Sequence, residues 1–489
     1  MKKKIIAIIV AIVLIIPVSR GWYEFLLDNF SDAELSSSTQ LKFRKVSDTE
    51  VEVVGYDYYL HGSITIPEKI RIGLYEYKVT RIGSYAFRGC SILTSIKIPK
   101  GVTSIGASAF YGCSSLEPKL LVYDKGTKCY GWIGDKKKCT EVVIPEGVTS
   151  IGASAFSDCS NLTSIDIPEG VTSIGEWAFL GCSSLTSINI PESLTSIGES
   201  TFKYCSNLTS INIPDGLTSI GDNAFEGCSS LTSIKIPEGV TSIGEKAFDG
   251  CRSLTSIKIP EGVTSIGEEA FYKCISLTSI NIPEGVTSIG KSVFEGCISL
   301  TSIDIPEGVT SIGASAFYGC SSLEPKLLVY DKGTKCYGWI GNKEKCTDVV
   351  IPEGVTSIGG SAFWRCSSLT SIKIPESVTS IGGGAFYYCE SLTSINIPEG
   401  VTNIGASAFW GCSSLTSIKI PDGVTSIGKW AFRGCSSLTS IKIPDGVTSI
   451  GYNAFEGCNN LEIVIDNSEN NVEVGELAFE GCKSVKWLK

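Results

Sequence analysis

Histidine is almost absent from this chain of 489 residues, which contains only one, His61. Acid-base catalysis and most transition-metal sites depend on imidazole, so a chain that scarcely uses it is a poor candidate for either chemistry. The sequence also lacks a Ser-His-Asp arrangement, a phosphate-binding glycine loop and paired carboxylates outside its repeats. These absences predict a protein that is not an enzyme and that uses no cofactor.

An excess of positive charge is missing as well. The formal net charge is -10 and the isoelectric point is about 5.0. Because an acidic surface attracts neither nucleic acid nor an anionic membrane, both are disfavoured as general partners.

Long apolar runs are absent except near the N terminus. Met1 to Lys4 form a positive segment, and Ile5 to Val18 follow as an apolar run that is short for a spanning helix and typical of a secretory signal. Residues 1–21 are therefore interpreted as a signal peptide, cut before Trp22, or as an uncleaved N-terminal anchor. Both alternatives predict export, and only this segment would contact a membrane.

The rest of the chain is dominated by one repeat, Leu254 to Ser276, LTSIKIPEGVTSIGEEAFYKCIS, which returns every twenty-three residues. Numbered from its leucine, apolar residues fall at positions 1, 4, 6, 10, 13 and 18, with alanine at 17 and cysteine at 21. This spacing predicts a mainly β, right-handed coil with a strand at SIxI, a second extended piece at VTSIG and a short helical turn at AFxxC. One turn cannot bury its own apolar side, whereas stacked turns form a continuous core, which makes a solenoid.

The repeat register predicts the domain organisation. Residues 22–60 form an N-terminal cap region that ends in a β-hairpin, residues 61–482 form the solenoid, and residues 483–489 form a C-terminal cap. In that last segment Trp487 and Leu488 are expected to cover the open end of the core, as terminal repeats must.

Three turns depart from the regular pattern. The first begins at His61, which we interpret as a substitute for the inward leucine of position 1. The other two, residues 116–138 and 323–345, keep the length of the repeat but contain EPKLLVYDKGTKCYGWIG, and are called the deviant turns below. Gly101 to Gly134 is identical to Gly308 to Gly341, which indicates a block duplication.

Cysteine is abundant, and its placement decides between two chemistries. Twenty cysteines would usually indicate a disulfide scaffold in an exported protein, but sixteen of them occupy position 21, from Cys90 to Cys482. This placement predicts a ladder of buried thiols that act as small apolar side chains. Bridges between adjacent turns are the alternative, because strands about 4.8 Å apart satisfy the Cα separation of a disulfide. Local bridges are a further alternative for the four cysteines outside the ladder, Cys129, Cys139, Cys336 and Cys346.

The repeat LTSIxIPEGVTSIGxxAFxxCxx resembles the BspA-like, or Treponema pallidum-type, leucine-rich repeats, over residues 61 to 482. The resemblance implies a curved leucine-rich repeat solenoid with a parallel sheet on its concave face. It also implies an exported surface protein that adheres to host matrix proteins or to other cells. It carries no catalytic residues to transfer.

Binding residues are expected on the outward side of the SIxI strands, because alternate strand residues face opposite sides and the isoleucines face inward. Position 3 hardly varies between turns, whereas position 5 does, so the predicted concave binding stripe is the position-5 row. Its members are Lys97, Asp166, Asn189, Asn212, Lys235, Lys258, Asn281, Asp304, Lys373, Asn396, Lys419 and Lys442. Stacked lysines repel each other and would favour an acidic or sulfated ligand. The alternative is that the row only keeps the sheet soluble.

Two other rows run beside it. Position 19 is often aromatic and either shields the core or provides interface anchors on the convex side. Its aromatic members are Tyr111, Tyr272, Tyr318, Trp364, Tyr387 and Trp410. Position 8 is Glu or Asp in nearly every regular turn, but one carboxylate per turn falls short of a calcium oxygen shell, so no metal site is predicted.

These features together predict a cell-surface or secreted protein that mediates adhesion by binding extracellular proteins or glycoconjugates of host matrix or other cells. The alternative is a passive structural surface rod without a specific ligand.

Overall fold

In the residues that the structure describes, the fold is a mainly β solenoid of about 18 turns with about 23 residues in each and almost no helix. The computed structural model describes residues 35–36, 40–56 and 60–489, so the expected signal peptide or anchor lies outside the described residues. Residue contacts divide the chain into two units, Met1–Cys139 with Ile144–Phe156 and Thr140–Val143 with Ser157–Lys489. Along the described part of the chain, no helix is long and apolar enough to cross a membrane.

The first unit begins with the cap. Leu41–Lys45 and Glu50–Tyr56 form an antiparallel hairpin, in which the alternating residues Leu41, Phe43, Val51 and Val53 are fully buried. The second strand of this hairpin then pairs in parallel with Tyr75–Ile82, the first long strand of the solenoid. Alternate residues of the cap strands therefore face the core and cover its end. The remaining strands of the unit are Leu35–Ser36, Gly62–Thr65, Lys69–Ile72, Leu93–Lys97, Ser104–Ile105, Lys119–Tyr123, Lys128–Ile133 and Ser150–Ile151.

His61 does not replace the inward leucine. Its side chain is exposed, and the preceding residue, Leu60, is buried in its place. The register between Gly62–Thr65 and Leu93–Lys97 shifts by one residue between Gly62 and Ser63. Because a one-residue slip exchanges the two faces of a strand, Leu60 enters the core and the histidine leaves it.

A regular turn is represented by Leu254 to Ser276. Its strand Ser256–Lys258 pairs in register with Ser233–Lys235, so Ile257 stacks on the isoleucine of the neighbouring turn. Pro260 ends the strand because it has no N–H to donate, and its carbonyl accepts the Val263 N–H at 3.1 Å to close the following turn. The second strand is only two residues long in regular turns, and its isoleucine is buried.

Positions 14 to 21, called the arm below, are a series of hydrogen-bonded turns rather than the expected helical turn. The reason is a left-handed residue at position 16 and again at position 20, such as Glu269 with φ 56° and Lys273 with φ 53°. The N–H groups of alternate arm residues make no hydrogen bond within their own turn. Those of Glu269, Phe271 and Lys273 donate instead to carbonyls of the next arm at 2.7 to 2.9 Å. Arms therefore stack as a third hydrogen-bonded row.

Glycine at position 14 is required by this stacking. At Gly267, an added Cβ would lie 2.4 Å from the backbone nitrogen of Glu245 in the preceding arm. No side chain fits at that distance, and Gly221, Gly244 and Gly313 are similarly close to the preceding arm, whereas at Gly198 the nearest atom would be 3.7 Å away.

The second unit repeats this turn with the same three rows. Its strands near positions 3 to 5 are Glu141–Val143, Ser164–Asp166, Ser187–Asn189, Ser210–Asn212, Ser233–Lys235, Ser256–Lys258, Ser279–Asn281, Ser302–Asp304, Asp348–Val350, Ser371–Lys373, Ser394–Ile395, Ser417–Ile418, Ser440–Ile443, Glu462–Ile465 and Ser484–Trp487. Its strands near positions 12 and 13 are Ser173–Ile174, Ser196–Ile197, Ser219–Ile220, Ser242–Ile243, Ser265–Ile266, Ser288–Ile289, Ser311–Ile312, Ser357–Ile358, Ser380–Ile381, Asn403–Ile404, Ser426–Ile427, Ser449–Ile450 and Glu473–Val474.

The deviant turns contain an antiparallel hairpin in place of an arm. In the second of them, Lys326–Tyr330 pairs with Lys335–Ile340, and a short 3-10 helix, Lys343–Lys345, follows. The first copy has the same construction, with the 3-10 helix at Lys136–Lys138. The last 3-10 helix described, Glu469–Asn471, lies in the final turn.

The C-terminal segment covers the core only in part. Ser484–Trp487 adds a parallel strand to Glu462–Ile465, and Trp487 is half-buried. Leu488, however, is 48% exposed, so the expectation that both side chains close the core was wrong for the leucine.

Candidate functional site

The position-5 row lies on the outward side of the SIxI strands. Burial in these strands alternates exposed, buried, exposed, as in Ser256–Lys258, and all twelve members of the row are exposed. Their side chains are therefore accessible to a partner.

The stacked lysines of this row are already paired with acids of the same chain. Lys235 lies 3.2 Å from Asp215, Lys258 lies 2.9 Å from Glu238, and Lys442 lies 3.0 Å from Asp466. Lys419 pairs in the same way with Glu399, another acid of position 8. Position-8 carboxylates thus neutralise Lys235, Lys258 and Lys419, and Asp466, at position 6 of the last turn, neutralises Lys442. An acidic ligand is not needed to relieve repulsion among these four lysines. The other two lysines of the row, Lys97 and Lys373, have no ion pair in the described part of the chain. In the pairs of Lys235, Lys258 and Lys419 both partners are strongly exposed, so solvent ions easily replace these contacts.

Threonines at positions 2 and 11 explain why the outward side varies so little. The Thr255 hydroxyl donates to the backbone oxygen of Thr232 at 3.3 Å, and Thr264 donates to Thr241 at 3.5 Å. Each hydroxyl ties its turn to the one before it. Their constancy is therefore structural and does not by itself indicate a ligand.

The arm side carries a continuous row of aromatic rings, called the aromatic strip below. It consists of Tyr318, Trp364, Tyr387, Tyr388, Trp410, Trp430 and Tyr452. Neighbouring ring centroids are 4.5 to 6.1 Å apart; the shortest distance joins Tyr318 to Trp364 and the longest joins Trp410 to Trp430. The Arg433 guanidinium lies 4.7 Å from the Trp410 ring centroid, and Arg365 lies 5.7 Å from that of Trp364.

The structure brings together four of the six aromatic residues of position 19 and leaves two apart. Tyr111 belongs to the first unit and is 42% exposed, while Tyr272 is accompanied by the Lys273 ammonium at 4.8 Å. Three members of the strip were missed by counting position 19 alone, namely Tyr388, Trp430 and Tyr452, which occupy positions 20, 16 and 15. Counting aromatic residues over the whole arm in consecutive turns would have found them.

An acidic stretch precedes the strip on the arm side. Burial, together with the nearby carboxylates of Glu226 and Glu269, raises the pKa of Asp249 to about 6. The Lys246 ammonium, 3.6 Å from Glu269, offsets part of this charge. The arm side of the second unit therefore changes from acidic to aromatic and cationic along the chain.

The cysteine ladder consists of free thiols in this structure. All cysteines are buried except Cys482, which is half-buried, and this includes the four outside the ladder. Each ladder thiol for which a bond is described donates to the phenylalanine carbonyl of the preceding turn, for example Cys228 to Phe202 at 3.1 Å. Burial raises the pKa of Cys228, Cys297 and Cys412 to about 12, which suppresses the reactive thiolate.

Within the described residues, no group of three or more His, Cys, Asp or Glu side chains is arranged to hold a metal ion.

Thiol titration tests the ladder against bridges. We expect the protein, kept without reductant, to react slowly with a thiol reagent while folded and to show most of its sixteen ladder thiols once denatured. Reaction of fewer than about half of them after denaturation would favour bridges between turns.

Comparison with known proteins agrees with the repeat geometry. The sequence model of the family described as "BspA type Leucine rich repeat region" matches residues 63–121, 134–255, 218–328, 340–462 and 402–489, well over half of the chain. No curated protein matches the sequence.

Several solved structures are similar to this chain in sequence. A leucine-rich repeat protein from Bacteroides ovatus is 28% identical, with 92% of this chain and 98% of that chain covered and a TM-score of 0.45. A leucine rich cell surface protein from Faecalibacterium prausnitzii is 30% identical, with 90% and 97% covered and a TM-score of 0.37. The leucine-rich repeat protein of T. pallidum is also 30% identical, with 42% and 88% covered and a TM-score of 0.33.

Proposed function

Since the chain belongs to the BspA-type leucine-rich repeat family, we propose that it is an exported surface protein that binds an extracellular protein or glycoconjugate through the aromatic strip. Export is supported by the apolar segment Ile5 to Val18. A surface location is also supported by the relative from Faecalibacterium prausnitzii, which is described as a cell surface protein. Its role is that of a binding scaffold and not of an enzyme.

The observation that carries this proposal is the continuity of the strip. Six of its rings are half-buried, and the seventh, Tyr452, is 36% exposed, so each ring is held by its neighbours while one side faces solvent. Tryptophan, tyrosine and arginine dominate binding energy at interfaces because they bury large areas with few rotatable bonds. The position-5 row is the second candidate surface, but its stacked lysines already have partners.

A triple serine variant tests the strip. Trp364→Ser, Trp410→Ser and Trp430→Ser place in the arm a residue that other turns use there, as Ser157 does at position 19 and Ser407 at position 16. We expect the variant to fold and to lose about tenfold or more of its affinity for immobilised mucin, matrix glycoprotein or whole cells. Surface plasmon resonance, with cell binding by flow cytometry, measures the loss.

Two control variants separate the alternatives. Tyr204→Ser with Tyr272→Ser removes one exposed and one half-buried ring of the arm side, both outside the strip, and should leave binding unchanged. Changing Lys235, Lys258, Lys419 and Lys442 to glutamate leaves the core intact and tests the position-5 row. Loss of binding in the lysine variant alone would move the site to that row. Absence of binding to every probe by the unaltered protein would favour the passive rod.

A further inference from the structure

The second deviant turn leaves a cavity where its arm is missing. Its residues form the hairpin Lys326–Tyr330 and Lys335–Ile340, so no arm stands between Ala314–Tyr318 and Gly360–Trp364, the arms of the turns on either side. The space has a volume of about 290 Å³, near the lower end of the range for ligand pockets. It therefore has room for one ring rather than for a chain.

One wall of this cavity carries hydrogen-bond donors without acceptors. In regular arms the N–H groups of positions 16, 18 and 20 donate to the next arm, as those of Glu269, Phe271 and Lys273 do. The N–H groups of Ser315, Phe317 and Gly319 occupy these positions, and in the described part of the chain they have no acceptor. Since the acceptors would belong to the missing arm, these donors face its place. Ser315 and Phe317 line the cavity, whereas Gly319 lies just beyond it.

A lysine adds positive charge to the same space. The Lys343 ammonium lines the cavity and donates one hydrogen bond to the Trp339 carbonyl. An ammonium has three N–H donors, so two remain for other partners. No Asp or Glu lines the cavity, and Lys343 makes no ion pair within the described residues. The ammonium can therefore bind an anionic ligand in the cavity.

The opposite wall and the rim carry groups that can bind the hydroxyls and the ring face of a sugar. The backbone oxygens of Gly360 and Trp364, which would accept from the missing arm, have no donor among the described residues. The hydroxyls of Ser315 and Ser361 also line the cavity. At its rim the rings of Tyr318 and Trp364 stack with centroids 4.5 Å apart. The cavity thus combines donors for a carboxylate, acceptors for hydroxyl groups and an aromatic surface.

We propose that this cavity binds a carboxylated sugar ring, with the carboxylate held by the Lys343 ammonium and the Phe317 N–H group. The Ser315 N–H group binds a second oxygen of the sugar. The ring hydroxyls bind the Gly360 and Trp364 carbonyls, and one ring face packs against Trp364. This site goes beyond the proposed function and does not depend on the rest of the aromatic strip.

The first deviant turn supplies an internal comparison. Its donors are the N–H groups of Ser108, Phe110 and Gly112, which likewise have no acceptor in the described part of the chain. The Lys136 ammonium donates to the Trp132 carbonyl at 2.8 Å. The corresponding cavity, however, measures only about 50 Å³. It is too small for a sugar ring, so we expect one binding site in each chain.

Calorimetric titration of the full chain with methyl glucuronoside, a carboxylated sugar, tests the proposal. Methyl glucoside is the uncharged control ligand. We expect the glucuronoside to bind at one site and the glucoside to bind at least tenfold more weakly. Lys343→Gln, whose amide can still donate to the Trp339 carbonyl, should lower the glucuronoside affinity at least tenfold, whereas Lys136→Gln should leave it unchanged. Trp364→Ser, which keeps the charge but removes the ring surface, should also weaken binding.

Several outcomes would overturn the site. Equal affinities for the two sugars, or an unchanged affinity in a folded Lys343→Gln variant, would show that the cavity does not hold the carboxylate. Acetate or a glutamate-rich peptide binding as tightly as the glucuronoside would show that the sugar ring is not recognised. A Trp410→Ser, Trp430→Ser variant should retain glucuronoside binding while losing macromolecular binding, so failure of either proposal can be recognised separately.

Discussion

Replacing Phe225 by alanine is expected to lower the free energy of unfolding by about 3 to 5 kcal/mol. The side chain is fully buried, and its ring stacks between those of Phe202 and Phe248 at centroid distances of 5.5 and 5.4 Å. The backbone of each arm is bonded to the next arm, so neighbouring turns cannot collapse into the space that the ring leaves. The cost therefore includes both the lost apolar burial and the cavity. Urea unfolding followed by circular dichroism measures it.

Phe317→Ala is the matched control, because the chain places this ring beside the gap in the second deviant turn. Phe317 stacks on Phe294 at 5.7 Å and is 7% exposed, and in the stack described it has no ring on its other side. Its removal should cost clearly less than that of Phe225. Equal losses from the two variants would mean that stacking between turns does not determine the cost.

The core was predictable from the sequence because its residues recur at fixed positions. Ile257, Ile259, Val263 and Ile266 were assigned inward from a single turn, and all four are at most 6% exposed. The stacking of like residues, such as Ile234 on Ile257, also follows from the constant period. A period of twenty-three residues leaves no other register in which every turn buries its apolar side.

The arm conformation was not predictable from apolar spacing. The pattern AFxxC predicts a helical turn, but Glu269 and Lys273 adopt left-handed conformations that non-glycine residues rarely adopt. Their N–H groups gain acceptors on the next arm, and this gain depends on a neighbour that a single turn does not reveal. Secondary structure in the arm is therefore decided by stacking, not by local preference.

Surface properties were predictable only in part for the same reason. Outward orientation of Lys235 and Lys258 follows from strand alternation, but their pairing with Asp215 and Glu238 depends on residues twenty positions earlier in the chain. The cavity at Lys343 also required the structure, because the sequence of a deviant turn shows its length but not the absence of an arm.

Raising the pH from 7 to 10 is expected to destabilise the folded protein strongly through its buried thiols. The pKa of Cys228, Cys297 and Cys412 is raised by burial from 9.0 to about 12. Because the folded pKa lies above the unfolded one, the folded state holds these protons more tightly. Their contribution to stability is complete below about pH 9 and is lost progressively as the pH rises towards 12. At pH 10 the loss is about 1.4 kcal/mol for each thiol, or about 4 kcal/mol for the three.

Serine variants isolate this effect from the titration of tyrosine and lysine. A serine hydroxyl does not ionise in this range, and it can donate to the same carbonyl that each thiol uses, such as Phe271 for Cys297 and Phe386 for Cys412. The variant with serine at positions 228, 297 and 412 is expected to be less stable at pH 7. Between pH 7 and 10, however, its free energy of unfolding should fall by about 4 kcal/mol less than that of the unaltered protein. Urea unfolding of both proteins in the presence of reductant gives the two differences. Equal losses would show that these three thiols are not the groups whose ionisation destabilises the chain, because every other titrating residue, including the remaining ladder cysteines, is shared by both proteins.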